Sequence, residues 1–146
     1  MSNGYAAEIK RIYAEFGKVK QQDIQVAGPN DRAKFAFCLV YADRDLTPEA
    51  AATHAREYGF ECTAILDPEC LLARWTGATK KPEVAVMSAA GELLYRGRID
   101  DRYADFGKRR EQLTATELRD ALRAIQQGKE IAVPRSTAIG CDIDMP

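Results

Sequence analysis

A single histidine and four cysteines, no two of them in a Cys-x-x-Cys pair, leave this chain without the ligand spacing of a zinc site. No metal and no cofactor are expected. The four thiols, Cys38, Cys62, Cys70 and Cys141, are also too few to act as a disulfide scaffold, and a core for 146 residues does not need one. No apolar run approaches the ~20 residues that span a bilayer, and the N-terminus carries no signal-peptide apolar region. The expected compartment is the cytoplasm if Met1 is the true start, and an exported location if a segment precedes it. An excess of charge of one sign is missing too. The 21 basic and 22 acidic residues are interspersed and sum to −1, which removes the electrostatic case for nucleic acid. There is no internal repeat and no low-complexity segment.

What is present is an alternation of helix and strand signals. Tyr5, Ile9, Ile12, Tyr13 and Phe16 form one apolar stripe at helical spacing, capped by Ser2-Asn3-Gly4 and ended by Gly17. A polar stretch follows, with a short strand at Ile24–Val26. Phe35–Tyr41 is a continuous apolar run, as expected of a strand buried on both faces. Thr47-Pro48-Glu49 is a helix start, and Gly59 stops that helix. Thr63–Leu66 reads as a strand. Asp67-Pro68-Glu69 repeats the start signal for a helix carrying Leu71, Leu72 and Trp75. Val84–Met87 and Leu93–Ile99 read as a hairpin. Thr114–Glu117 has the form of a capping box for a helix through Leu118, Ala121, Leu122 and Ile125. This order predicts an α/β domain over residues 1–130, with a mostly parallel sheet covered by helices on both faces and a C-terminal hairpin. Residues 131–146 form a tail expected to lie over the domain surface.

Three stretches carry a resemblance. They are Val40-Tyr-Ala-Asp43 with Thr47-Pro-Glu49, Ile65-Leu-Asp-Pro68 through Gly77-Ala78 to Pro82-Glu83, and Tyr95–Tyr103 through Asp105–Arg109. Together they resemble the thioredoxin-like redoxins of the alkyl hydroperoxide reductase and thiol-specific antioxidant (peroxiredoxin-like) family, in a bacterial subgroup of thiol–disulfide type. The resemblance implies reduction of a small peroxide or a protein disulfide, with a thiol as electron donor. It also implies that Ser2 and Asn3 begin the active-site helix, immediately after a Cys-Pro pair. On that alignment the first central strand and the catalytic cysteine would precede Met1, or be lost. The strand's place, between Phe35–Tyr41 and Val84–Met87, must be filled by direct pairing, by residues 25–26, or by a partner chain.

Redoxin chemistry needs a thiolate, and a helix N-terminus stabilises one. Met1 and Ser2 cannot supply it, so the chain as given is expected to be inactive or impaired. Two other readings stand beside this one: a cysteine-depleted module that holds extended peptides, and a homodimer that completes its sheet.

The resemblance implies that Pro82 is a cis-proline whose preceding backbone pairs with substrate. From the residues alone it is a trans proline opening an edge strand. Lys81 replaces the threonine or valine usual before that proline. Cys141 is the best remaining redox candidate, as a resolving thiol, or else an incidental tail cysteine. Cys38 reads as buried in its strand. Cys62 and Cys70 could pair only if the chain turns back sharply. His54 reads as structural. The loop Asp100–Glu111 holds four acids and four bases. It reads as surface ion pairs, with Tyr103 and Phe106 as the alternative anchors of a docking face. Neither a membrane nor a nucleic acid is expected as a partner.

Overall fold

The N-terminal stripe is buried along one helical stretch. It opens as a 3₁₀ turn, Ser2–Tyr5, continues as helix α1, Ala6–Ile12, and widens into a π turn, Tyr13–Gly17. The structure, a computed structural model, describes residues 2–17 and 35–146. The strand expected at residues 24–26 lies outside the described residues.

The remaining elements follow the predicted order. Strand β1 is Cys38–Tyr41 and helix α2 is Pro48–Glu57. The Oγ1 of Thr47 accepts from the Ala50 amide at 3.2 Å, so the N-cap works as read. Then come β2, Thr63–Leu66, α3, Leu71–Thr76, and a two-residue strand β3, Lys80–Lys81. The hairpin is β4, Val84–Met87, with β5, Leu93–Gly97. A smaller hairpin joins β6, Tyr103–Asp105, to β7, Lys108–Arg109. Helix α4, Glu117–Gln126, and strand β8, Cys141–Asp142, complete the order.

The fold is mixed α/β. Among the described residues the strands form four two-stranded ladders. The β1–β2 ladder is parallel, with Cys38 opposite Thr63 and Tyr41 opposite Leu66. The β4–β5, β6–β7 and β3–β8 ladders are antiparallel. Among the described residues β1 is bonded to β2 alone and β4 to β5 alone, so the expected continuous, mostly parallel sheet is not joined through these strands. Residues 134–136 run beside β5: Arg96 donates its amide to the Pro134 carbonyl at 3.1 Å, and Ser136 returns one to Arg96 at 3.0 Å. The tail is therefore pinned before it reaches β8.

The N-terminal helical stretch packs against the β4–β5 hairpin and against the residues that lead into β1. Tyr5, Ile12 and Phe16 share a core with Val86 and Tyr95 of the hairpin and with Leu122 of α4. Phe35 and Phe37, which lead into β1, pack on the same cluster. Phe37 meets Tyr13 edge-on at 5.6 Å and Phe35 meets Phe16 at 6.2 Å. Among the described residues, no helix is long and apolar enough to cross a membrane.

Four expectations need correction. Cys38 is exposed, not buried, because the face of β1 that carries Cys38 and Val40 is open while Leu39 and Tyr41 are half-buried. The Asp67-Pro68-Glu69 signal does not begin its helix at Pro68. Those residues turn, Cys70 takes a left-handed conformation (φ 54°), and α3 starts at Leu71. Asp67 still caps, accepting from the amides of Leu71 at 2.8 Å and Ala73 at 3.1 Å. The short α3 turns Ala73 inward and leaves Trp75 and Leu71 exposed. The capping box does not close either. Thr114 binds Asp101 instead, and Glu117 accepts from Arg98 Nε at 2.7 Å.

The last correction concerns Asp100–Glu111. Its ion pairs are not on the surface at the start of the loop: Asp100, Asp101 and Arg102 are buried. Arg102 Nη2 lies 2.7 Å from Asp100 Oδ2 and 3.9 Å from Glu8, and Arg119 reaches Glu8 at 2.6 Å.

Candidate functional site

The thiol-bearing tail and the residues before Pro82 come together. Strand β8 pairs with β3, placing Cys141 opposite Lys81 and Asp142 opposite Lys80. The Lys81–Pro82 peptide bond is cis. Two further contacts lengthen the pairing. Ile143 donates its amide to the Thr79 carbonyl at 2.9 Å, and Lys80 Nζ lies 2.6 Å from Asp142 Oδ1. Gly140 passes so close to Lys81 that a Cβ there would overlap the Lys81 carbonyl. The sequence at 140 therefore follows from the approach of two backbones.

Beyond this ladder the tail lies in an apolar seat. Ile143 and Met145 pack against Ala42, Cys70 and Ala73, while Cys141, Asp142 and Asp144 face outward. Arg74 donates to the Pro146 carbonyl. Cys70 is fully buried, its sulfur 3.7 Å from the Asp144 carbonyl. In Asp142-Ile-Asp-Met145 exposed acids alternate with seated apolar residues, the period-2 pattern of a half-buried strand. That alternation is legible in the sequence at 142–145.

The start of the first helix joins a second cluster. Asn3 donates its side-chain amide to the Tyr58 hydroxyl at 2.6 Å, and its Oδ1 lies 3.1 Å from His54 Nε2. His54 Nδ1 lies 2.8 Å from the Tyr41 hydroxyl. His54 thus bridges the first turn and the end of β1. Sequence spacing could not show this, because the partners stand far apart along the chain. Ser2 belongs to the same 3₁₀ turn. Tyr41 and Ala42, adjacent at the end of β1, link the two clusters, Tyr41 through His54 and Ala42 through the seat of the tail.

The other candidates fall elsewhere. Tyr103 is used internally: its ring is 5.4 Å from that of Tyr5. Phe106 stands exposed at the turn between β6 and β7. The four cysteines are free thiols. Burial, opposed by a backbone hydrogen bond, pushes the Cys62 thiol up, away from the thiolate that nucleophilic attack requires. Among the described residues no group of His, Cys, Asp and Glu is arranged to hold a metal ion. At the opposite end of β1 and β2, a cavity of about 420 Å³ is lined by Tyr13, Phe35, Phe37 and Cys62, among others.

No family model matches the chain, and no curated protein matches it. Two solved structures share its fold. A hypothetical protein from Sinorhizobium meliloti superposes with a TM-score of 0.69 at 19% identity, covering 99% of this chain and 70% of its own. An uncharacterized conserved protein from Geobacillus kaustophilus gives 0.70 at 17% identity, with 99% and 68% covered.

Proposed function

We propose that this chain is a thioredoxin-like redoxin domain, and that its substrate-holding half is the edge Thr79–Pro82. The observation that carries the reading is the ladder in which a cysteine-bearing extended segment lies antiparallel on Lys80–Lys81. An edge of this kind holds a thiol or disulfide on an extended strand, with main-chain hydrogen bonds supplying affinity and side-chain seats supplying choice. The chemistry it serves is thiol–disulfide exchange or peroxide reduction. A thiolate attacks one sulfur of a disulfide and releases the other as thiolate, and a second thiol then resolves the mixed disulfide. With a peroxide, attack on one oxygen yields a sulfenic acid and releases the other oxygen as alcohol or water after protonation, and a thiol donor then reduces the sulfenic acid.

The attacking thiol belongs just ahead of the first helix, in a Cys-Pro pair preceding Ser2, and neither Met1 nor Ser2 supplies one. The chain as given should therefore reduce insulin or peroxide at background rate. Fusing an apolar strand ending in Cys-Pro ahead of Ser2 should restore turnover. If the fused chain folds and stays at background, the oxidoreductase reading fails and a peptide-holding module remains. A second reading, a dimer that completes its sheet, is favoured by the separate β1–β2 and β4–β5 ladders. It predicts a dimer in multi-angle light scattering, and a monomer at all concentrations rejects it.

A further inference from the structure

The C-terminal strand is short, built from a few separable contacts, and seated on an edge that would serve equally well for another chain. We propose that residues 140–146 are an internal occupant of a peptide-docking edge. The same edge accepts, from a partner protein, an extended segment in which acidic and apolar residues alternate after a small residue.

Each part of that specificity comes from a contact. The backbone of Thr79–Lys81 supplies the hydrogen bonds, through the two-residue ladder and the Ile143 amide. Lys80 asks for an acid at the position of Asp142. The seat formed by Ala42, Cys70 and Ala73 asks for apolar side chains two residues apart, as Ile143 and Met145 are. The close pass at Lys81 asks for glycine at the position of Gly140. The outward position of Cys141 leaves that side chain unselected by the seat.

The tail is also built to be displaced. It is anchored at 134–136 beside β5, so it can leave β3 without being lost. Its one ion pair with β3 is exposed, and such pairs contribute only about 0–1 kcal/mol. A tethered tail competes at an effective concentration on the order of millimolar. A partner in trans therefore meets a closed edge until the tail is released.

The test uses the full chain under reducing conditions. A fluorescein-labelled peptide with the sequence of residues 139–146, its cysteine changed to serine, is titrated by anisotropy against wild type and against Gly140→Val, which sets a side chain against the Lys81 carbonyl. Amide exchange at Ile143 reports whether the tail has left. The expected result is loss of Ile143 protection in Gly140→Val, with peptide binding at least about tenfold tighter than to wild type, because the tethered competitor is removed. Adding Lys80→Glu should weaken binding by up to about fivefold, the most that one exposed ion pair supplies. A peptide carrying lysine in place of its first aspartate should recover it.

Three results overturn the proposal. One is equal binding to both proteins. Another is no binding to a variant whose tail has left. The third is Ile143 protection that survives Gly140→Val combined with Asp142→Lys. Circular dichroism checks the fold, and Ile143→Asp with Met145→Asp opens the same edge should Gly140→Val unfold. The inference rests on the peptide-holding part of the function proposed above and not on its thiol chemistry. Failure of the fused chain to turn over leaves the binding result standing, and loss of peptide binding leaves the turnover test standing.

Discussion

Arg102 donates from Nη1 to the Gly4 carbonyl at 3.0 Å, joining residues 98 positions apart in the chain. Its Nε and Nη2 hold both oxygens of Asp100 at 2.7–3.1 Å, and its guanidinium lies 4.7 Å from the centre of the Tyr5 ring. One side chain thus ties the first turn of the N-terminal helix to the loop after β5. Arg102→Ala leaves Asp100 buried without its partner and should cost about 3–5 kcal/mol in urea unfolding. Arg102→Lys keeps the charge but loses the fork and should recover only part of that. A loss below 1 kcal/mol would show that the pair does not hold the helix.

Asp67 caps α3 from four residues upstream and is itself buried. Asp67→Ala should destabilise the chain by about 1–2 kcal/mol. Because α3 carries Ala73 beneath the tail, the same variant should speed amide exchange at Ile143. Unchanged exchange there would separate the cap from the tail.

The short α3 also shows what the sequence could and could not reveal. The helix and strand order was legible because apolar spacing and proline starts are local signals, and α1, α2 and the β4–β5 hairpin fall where those signals place them. The partners of charged and polar side chains were not legible. Thr114 and Glu117 have the spacing of a capping box, yet Asp101 and Arg98 claim them from elsewhere in the chain. The acids and bases of Asp100–Glu111 have a surface composition, yet the first three are buried, Asp101 against Thr114 and Ala115, and Asp100 and Arg102 against the N-terminal turn. At the candidate site, Lys81 and Pro82 could be named in advance. Their pairing with Cys141 joins residues 60 apart, a distance that sequence periodicity cannot span.

Acid should act on Asp101 late. Burial pushes its carboxyl up, but the hydroxyl and amide of Thr114, the Ala115 amide and the Arg110 charge pull harder, holding it at about 2. A depressed carboxylate stabilises the fold fully above its unfolded value of about 3.9, and that contribution is lost as the pH falls toward 2. Carbon-detected NMR titration should place this carboxyl below the other aspartates, and Thr114→Val should raise it. A wild-type value near 4 would contradict the arrangement.

Base should act on Tyr95. Burial pushes its hydroxyl up to about 12, although the Ser136 hydrogen bond partly offsets this. The neutral phenol donates to the Arg98 carbonyl at 2.6 Å. A raised tyrosine stabilises the fold below about 10, its unfolded value, and this contribution is lost as the pH rises through 12. Ultraviolet titration should show Tyr95 ionising only near that pH, and Tyr95→Phe should cost about 1 kcal/mol. Ionisation near 10 in the folded protein would reject the burial.

Thiol labelling should separate the cysteines. Cys38 and Cys141 are exposed and should react quickly with iodoacetamide, whereas Cys70 is sealed under the tail. Gly140→Val should raise the Cys70 rate, read residue by residue by mass spectrometry. A Cys70 rate equal to that of Cys38 in wild type would contradict the seat.

The separate ladders carry a mechanical consequence. The β4–β5 hairpin packs on the N-terminal helical stretch through Val86 and Tyr95, and β1–β2 is joined to it through Phe35 and Phe37 in the lead-in to β1, but the described strands of the two pairs exchange no backbone bond. Dispersion contacts tolerate sliding better than a hydrogen-bonded ladder does. Among the described residues the two pairs are thus separate plates carried on one axle. Opening one should leave the other intact, and the chain should show two opening free energies where a continuous sheet would show one.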